Sequence, residues 1–222
     1  MFDWLQSLGA SSPRLAEIHR HFKEMLQDGR HIFDAAANAL LGGADPEVIR
    51  EDLYATDKRI NLTEQAVRRE IVVHGSVHGA STFPALLVLM SLVKDAERIG
   101  DYAKNLFNVA AARVAFGDEA ERELLVEVKD ATSRLLVRAH ALFEKQDEGA
   151  AAGYLKEVEV LQKRCDAAVL RLLHVTDRNA AVDVLTYRYF KRVVSHAGNI
   201  VTSVVMPVDK LDYYPGRPHS EQ

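Results

Sequence analysis

Cysteine is all but missing from this chain: Cys165 stands alone, so an intrachain disulfide cannot form and cysteine-rich zinc sites are excluded. A reducing cytoplasm is the expected setting. Aromatics reach only 7%, and 12 Gly with 6 Pro are few for 222 residues, a profile that suits packed helices. An excess of positive charge is lacking as well. With 28 basic against 32 acidic residues the net charge is −4, which gives no general attraction for nucleic acid or an anionic membrane surface. Long apolar runs are also wanting: the most apolar stretch, Ala85 to Val93, meets Lys94 and Asp95 at once, too soon to cross a bilayer. The opening Met1-Phe2-Asp3-Trp4-Leu5 is apolar but short, and carries an acid where a signal peptide has a basic region. A soluble protein is expected.

What the chain does have is helix signals almost throughout. Ser11-Ser12-Pro13 reads as the cap and first residue of a helix that runs to Leu40 and is stopped by Gly42-Gly43. Asp45-Pro46 opens a second, through Leu53, Ile60, Val67 and Ile71, which His74-Gly75-Ser76-Val77-His78-Gly79 is expected to break. His74 and His78 are four apart, but Gly75 between them disfavours a helical metal-binding register. A third helix starts near Ser81 to Pro84 and ends by Phe116-Gly117. Asp118 caps a fourth, ended by the polar stretch Lys145 to Gly149. A fifth spans about Ala150 to Leu173 and a sixth about Asn179 to Met206. The prediction is an all-α fold of six long helices in two tandem three-helix bundles, residues 12–116 and 118–210, followed by a disordered tail over 211–222.

The most informative stretch is Glu97-Arg98-Ile99-Gly100-Asp101-Tyr102-Ala103-Lys104-Asn105, because Glu97, Asp101 and Asn105 recur every four residues. On a helix they stack one turn above another on a single face. The preceding helix carries a second ladder, Asp57 and Asn61, with Glu64 one turn further on. Antiparallel helices bearing such ladders can converge oxygen ligands on one cation, as carboxylate sites in helix bundles do. Glu97 and Asp101 are the expected direct ligands, with Asp57 facing them, Asn61 and Asn105 as outer ligands or hydrogen-bond donors, and Glu64 as a further contributor. Such hard oxygen donors suit magnesium, calcium, manganese or iron. The competing reading is a solvated face, with Lys94, Arg98 and Lys104 supplying surface ion pairs.

Sliding the third helix by 94 residues lays Glu97 on Lys191, Asp101 on Ser195 and Asn105 on Asn199. An offset of 102 pairs Asp57 with Glu159, Asn61 with Lys163 and Glu64 with Asp166. The apolar frame survives while both acids of the third helix are lost, which reads as duplication followed by divergence. A second-half metal site is therefore not expected. Arg188, Lys191 and Arg192 form a basic face, for which solvation is the expected role and an anion the alternative.

The run from Ala96 to Asn105, the earlier Asp57-Lys58-Arg59-Ile60-Asn61 and the late echo from Arg192 to Ile200 together resemble the PhoU family. The resemblance covers nearly the whole chain. It implies a non-enzymatic regulator of phosphate uptake and signalling, cytoplasmic, that acts through a phosphate transporter or a sensor kinase and touches the membrane only through that partner. The sequence leaves self-association into a homo-oligomer open. It also implies bound metal ions, with iron, zinc, manganese or magnesium as candidates. Two other classes remain open: a carboxylate-bridged metalloenzyme, which would need Glu-x-x-His pairs that do not accompany these ladders, and a metal-free helical scaffold.

Overall fold

The computed structural model describes residues 13–78, 82–113, 115–177 and 179–213. Six α-helices account for most of them: α1 Pro13–Gly42, α2 Pro46–His78, α3 Phe83–Ala111, α4 Glu119–Lys145, α5 Glu148–Leu172 and α6 Ala180–Val205, with a final 3-10 turn at Val208–Lys210. The all-α expectation is met. The expected tail and the Ser11-Ser12 cap fall largely or wholly outside the described residues.

Boundaries follow local chemistry. Pro46 sits at the first position of α2, where its missing N–H is no loss, and Asp45 Oδ1 accepts the Glu47 N–H at 3.1 Å. Asp118 Oδ1 accepts the Glu121 N–H at 2.6 Å, and Asp147 Oδ1 accepts that of Ala150 at 3.0 Å, so α4 and α5 each begin on an aspartate cap. Two expected ends shift. The helix α2 runs through Gly75 to His78 instead of breaking at His74, because Gly75 lies under the first turn of α3: an added Cβ would stand 3.3 Å from both Leu86 Cδ1 and Phe83 Cε1. That glycine serves close packing rather than a turn, and His74 is consequently buried. The helix α3 stops at Ala111, before Phe116, with Arg113 in the left-handed region at φ 52°.

Helices α1, α2 and α3 pack on one another, as do α4, α5 and α6, and the two sets join where α3 meets α6 and α1 meets α4. The buried apolar residues form one cluster running through both sets, including Phe33 of α1 edge-on to Phe190 of α6 at 5.7 Å. Cys165 is fully buried in it, and burial pushes its thiol up to about 12, which makes it an inert core residue.

Candidate functional site

Two glycines let α3 pack closely, Gly100 against the other ladder helix α2 and Gly29 against α1. A Cβ on Gly100 would lie 3.1 Å from Ile60 Cδ1, and one on Gly29 would lie 3.1 Å from Ile99 Cγ2. Gly100 sits between Glu97 and Asp101, so α2 approaches α3 at the ladder itself. Glu64 and Asp57 side chains are each 13% exposed, Glu97 16% and Asp101 28%, a half-buried acidic seam rather than a solvated face.

The acids interact in two groups. Glu97 and Asp101 are hydrogen-bonded, and the Glu97 carboxyl is pushed up to about 7, first by burial, then by the charge and hydrogen bond of Asp101 and by the charge of Glu64, with Arg98 opposing. Two carboxylates in contact need either a shared proton or a cation. Asp57 takes the other course: Lys104 Nζ donates to its Oδ1 at 2.9 Å and Oδ2 at 3.0 Å, and reaches Asp101 Oδ1 at 3.3 Å. Burial alone would lower the Lys104 ammonium, but the hydrogen bonds and charges of Asp57 and Asp101 outweigh it and raise the group. Arg98 Nη1 stands 3.4 Å from Asp101 Oδ2, and Arg68 Nη2 2.7 Å from Glu64 Oε1.

The expected ligands are thus brought to one seam, but not into one shell. Asn61 and Asn105 lie half-buried beside it and enter no side-chain hydrogen bond among the described residues. Among the described residues, three ligand atoms within 4.8 Å of one another belong instead to Glu17, His21 and Glu70, at the other end of α1 and α2. Lys104 is the seam residue the ladder reading missed as a functional group. Its signal was in the sequence, since it follows Asp101 by three and Glu97 by seven and so shares their face. The donor set still fits a hard cation at Glu97 and Asp101, where an ion would take the place of the proton their contact requires.

The equivalent seam of the second half carries its own cation. Lys191 Nζ meets both Asp166 oxygens at 2.6 Å, while Gln162 Nε2 donates to Ser195 Oγ at 2.9 Å and Ser195 Oγ to the Lys191 carbonyl at 2.8 Å. An ammonium and a hydroxyl–amide bond stand where α3 has two acids.

Between the halves lies a buried polar group that helical spacing did not reveal. Asp95 is 1% exposed, and its Oδ1 accepts from Asn199 Nδ2 at 3.0 Å and pairs with His196 Nδ1 at 2.7 Å. Arg192 Nε donates to Tyr102 Oη at 3.0 Å, with its guanidinium over that ring. Arg192 is therefore not part of a free basic face. Tyr102 and His196, which are equivalent positions under the offset of 94, stack at 5.7 Å. Asp95 and Tyr189 are equivalent under the same offset, so the Asp95–His196 pair answers to Tyr189–Tyr102, whose rings lie 6.1 Å apart. A local two-fold between α3 and α6 relates them.

Residues 22–110 match the family model of the PhoU domain. No curated protein matches the chain by sequence. Among solved structures the chain is similar to PhoU from Pseudomonas aeruginosa, with a TM-score of 0.74 at 20% identity over 87% of this chain and 96% of that one. It is also similar to the phosphate transport system regulatory protein PhoU from Streptococcus pneumoniae, with a TM-score of 0.69 at 19% identity over 86% and 94%.

Proposed function

We propose that this chain is a PhoU-family regulator of phosphate transport that works by binding other proteins, a phosphate transporter component or a sensor kinase, and not by catalysis. The match over residues 22–110 carries this reading, since it falls on the helices that hold the ladder. No described helix is long and apolar enough to cross a membrane; contact with a transporter from the cytoplasmic side, through the partner, is part of the same proposal.

The metal belongs to the same proposal. Glu97 and Asp101 would bind one ion of the magnesium, manganese, iron or zinc kind, with Glu64 and Asp57 near enough to adjust its charge balance. Bound there, the ion would replace the shared proton and stiffen α2 against α3. Lys104 would set the affinity, because its ammonium already neutralises Asp57 and part of Asp101.

Two measurements test the two parts separately. Affinity capture with the full chain from phosphate-replete and phosphate-starved cells should recover phosphate-transporter or sensor-kinase subunits in a phosphate-dependent way; recovery of neither would sink the regulatory reading. Manganese should raise the melting temperature of the wild type and not of Asp101→Asn, and equal responses would sink the metal site alone.

A further inference from the structure

The two bundles differ at one seam. Helices α1 and α2 pack along their length, whereas α4 and α5 meet over a short stretch only, although each packs well on α6. One end of the α4–α5 seam is clamped, where Arg171 Nη2 reaches Glu121 at 2.7 Å and Tyr187 Oη donates to the same carboxylate at 2.7 Å. Beyond that clamp the helices leave a cavity of about 390 Å³. Its floor is Ala131, Leu135 and Leu161, the two leucines being 4% and 6% exposed, and Val160, 68% exposed, stands at its rim.

The walls are cationic in a chain of net charge −4. Arg134 and Arg138 on α4 face Lys156 and Arg164 on α5. Two of these are neutralised, Arg138 by Glu157 and Arg164 by Glu127. Arg134 and Lys156 have no ion pair among the described residues. An apolar floor of ligand-pocket size under two uncompensated cations specifies its occupant by chemistry. The floor would bind a flat or chain-like apolar body, and Arg134 with Lys156 an anionic head. The pocket spans about two helical turns on each wall, roughly 10 Å, short for a docked helix and suited to a small molecule.

We propose that the α4–α5 groove binds a small organic anion, an apolar body bearing a phosphate or carboxylate group, independently of the carboxylate seam of α2 and α3. Adenosine monophosphate and decanoate present this chemistry from an aromatic and an aliphatic source, and inorganic phosphate presents the head alone.

Calorimetric titration of the full chain with these three probes tests it. At least one organic anion should bind with a dissociation constant on the order of tens of micromolar, at least about tenfold tighter than inorganic phosphate. Whichever binds better names the body as aromatic or aliphatic. Arg134→Glu with Lys156→Glu should weaken it at least about tenfold. Both side chains are exposed, so the melting temperature should hold. Ala131→Leu, which fills the floor and keeps every cation, should weaken it as well. The proposal is overturned by organic anions no better than phosphate, by unchanged affinity in both variants, or by binding of an acidic amphipathic peptide but neither organic probe.

Discussion

The α1–α2 and α4–α5 seams occupy equivalent places in a duplicated architecture, yet one is closed and the other gapes. Across the first, charges alternate in sign: Arg59 grips Asp28 at 2.7 Å through two nitrogens, and His31 reaches Asp52 at 2.6 Å. Across the second, Arg138–Glu157, Arg164–Glu127 and Arg171–Glu121 also join opposite charges, but Arg134 and Lys156 stand on facing walls with no ion pair among the described residues. Ion pairs alone therefore do not shut a seam, and the apolar frame common to both halves lets either arrangement fold. The same divergence appears at the polar seams, where α3 keeps Glu97 and Asp101 while α6 carries Lys191 and Ser195.

The sharpest way to break this symmetry argument lies between the halves. Asp95→Leu strips His196 and Asn199 of their buried acceptor and is expected to cost about 2–4 kcal/mol in urea unfolding. Tyr189→Leu, at the position equivalent to Asp95, removes a ring contact and should cost about 1 kcal/mol. Equal losses would mean that the buried acid adds nothing beyond packing.

A middle-sized effect separates the two lysines. Lys104→Met and Lys191→Met should each destabilise by about 1 kcal/mol or less, as both ammoniums are partly exposed and screened. Manganese should then raise the melting temperature of Lys104→Met by more than it raises that of the wild type. In Lys191→Met no added response is expected, because α6 offers no carboxylate pair beside Asp166. Identical metal responses in the two variants would remove the distinction between the seams.

The smallest expected effect is a pH trend at Asp183, where the Gly117 N–H donates to Oδ2 at 3.2 Å. Burial, then the charges of Glu121, Asp118 and Asp177, push this carboxyl up from 3.8 to about 6, against that bond. Because the folded value is raised, its contribution is complete below about pH 4 and fades as pH climbs through about 6. Asp183→Asn should therefore gain melting temperature relative to the wild type between about pH 4.5 and 7. A difference that stays constant over that range would refute the shift.

Much of the fold was legible because it is written locally. Asp118 and the Asp45-Pro46 pair announce helix starts by hydrogen bonds a few residues long, and the apolar spacing of α1 to α6 needs no knowledge of neighbours. The shared face of Glu97 and Asp101 was equally local. What escaped depends on the partner helix. Gly75 looked like a breaker because its use, admitting Phe83 and Leu86, lies on α3. Asp95 looked like one more charge after an apolar run, since His196 and Asn199 stand about a hundred residues away. Lys104 fell between these cases: its face could be read, but its choice of Asp57 could not.

The single continuous core has a consequence for how such a chain can vary. Severed near Gly117, neither piece would be a free-standing module, since each would present to water the surface now sealed by Phe33 against Phe190. The two pieces should instead reassemble when mixed. Duplication has thus left this molecule with kinship between its parts but no independence, and either half can change only as fast as its twin accommodates it.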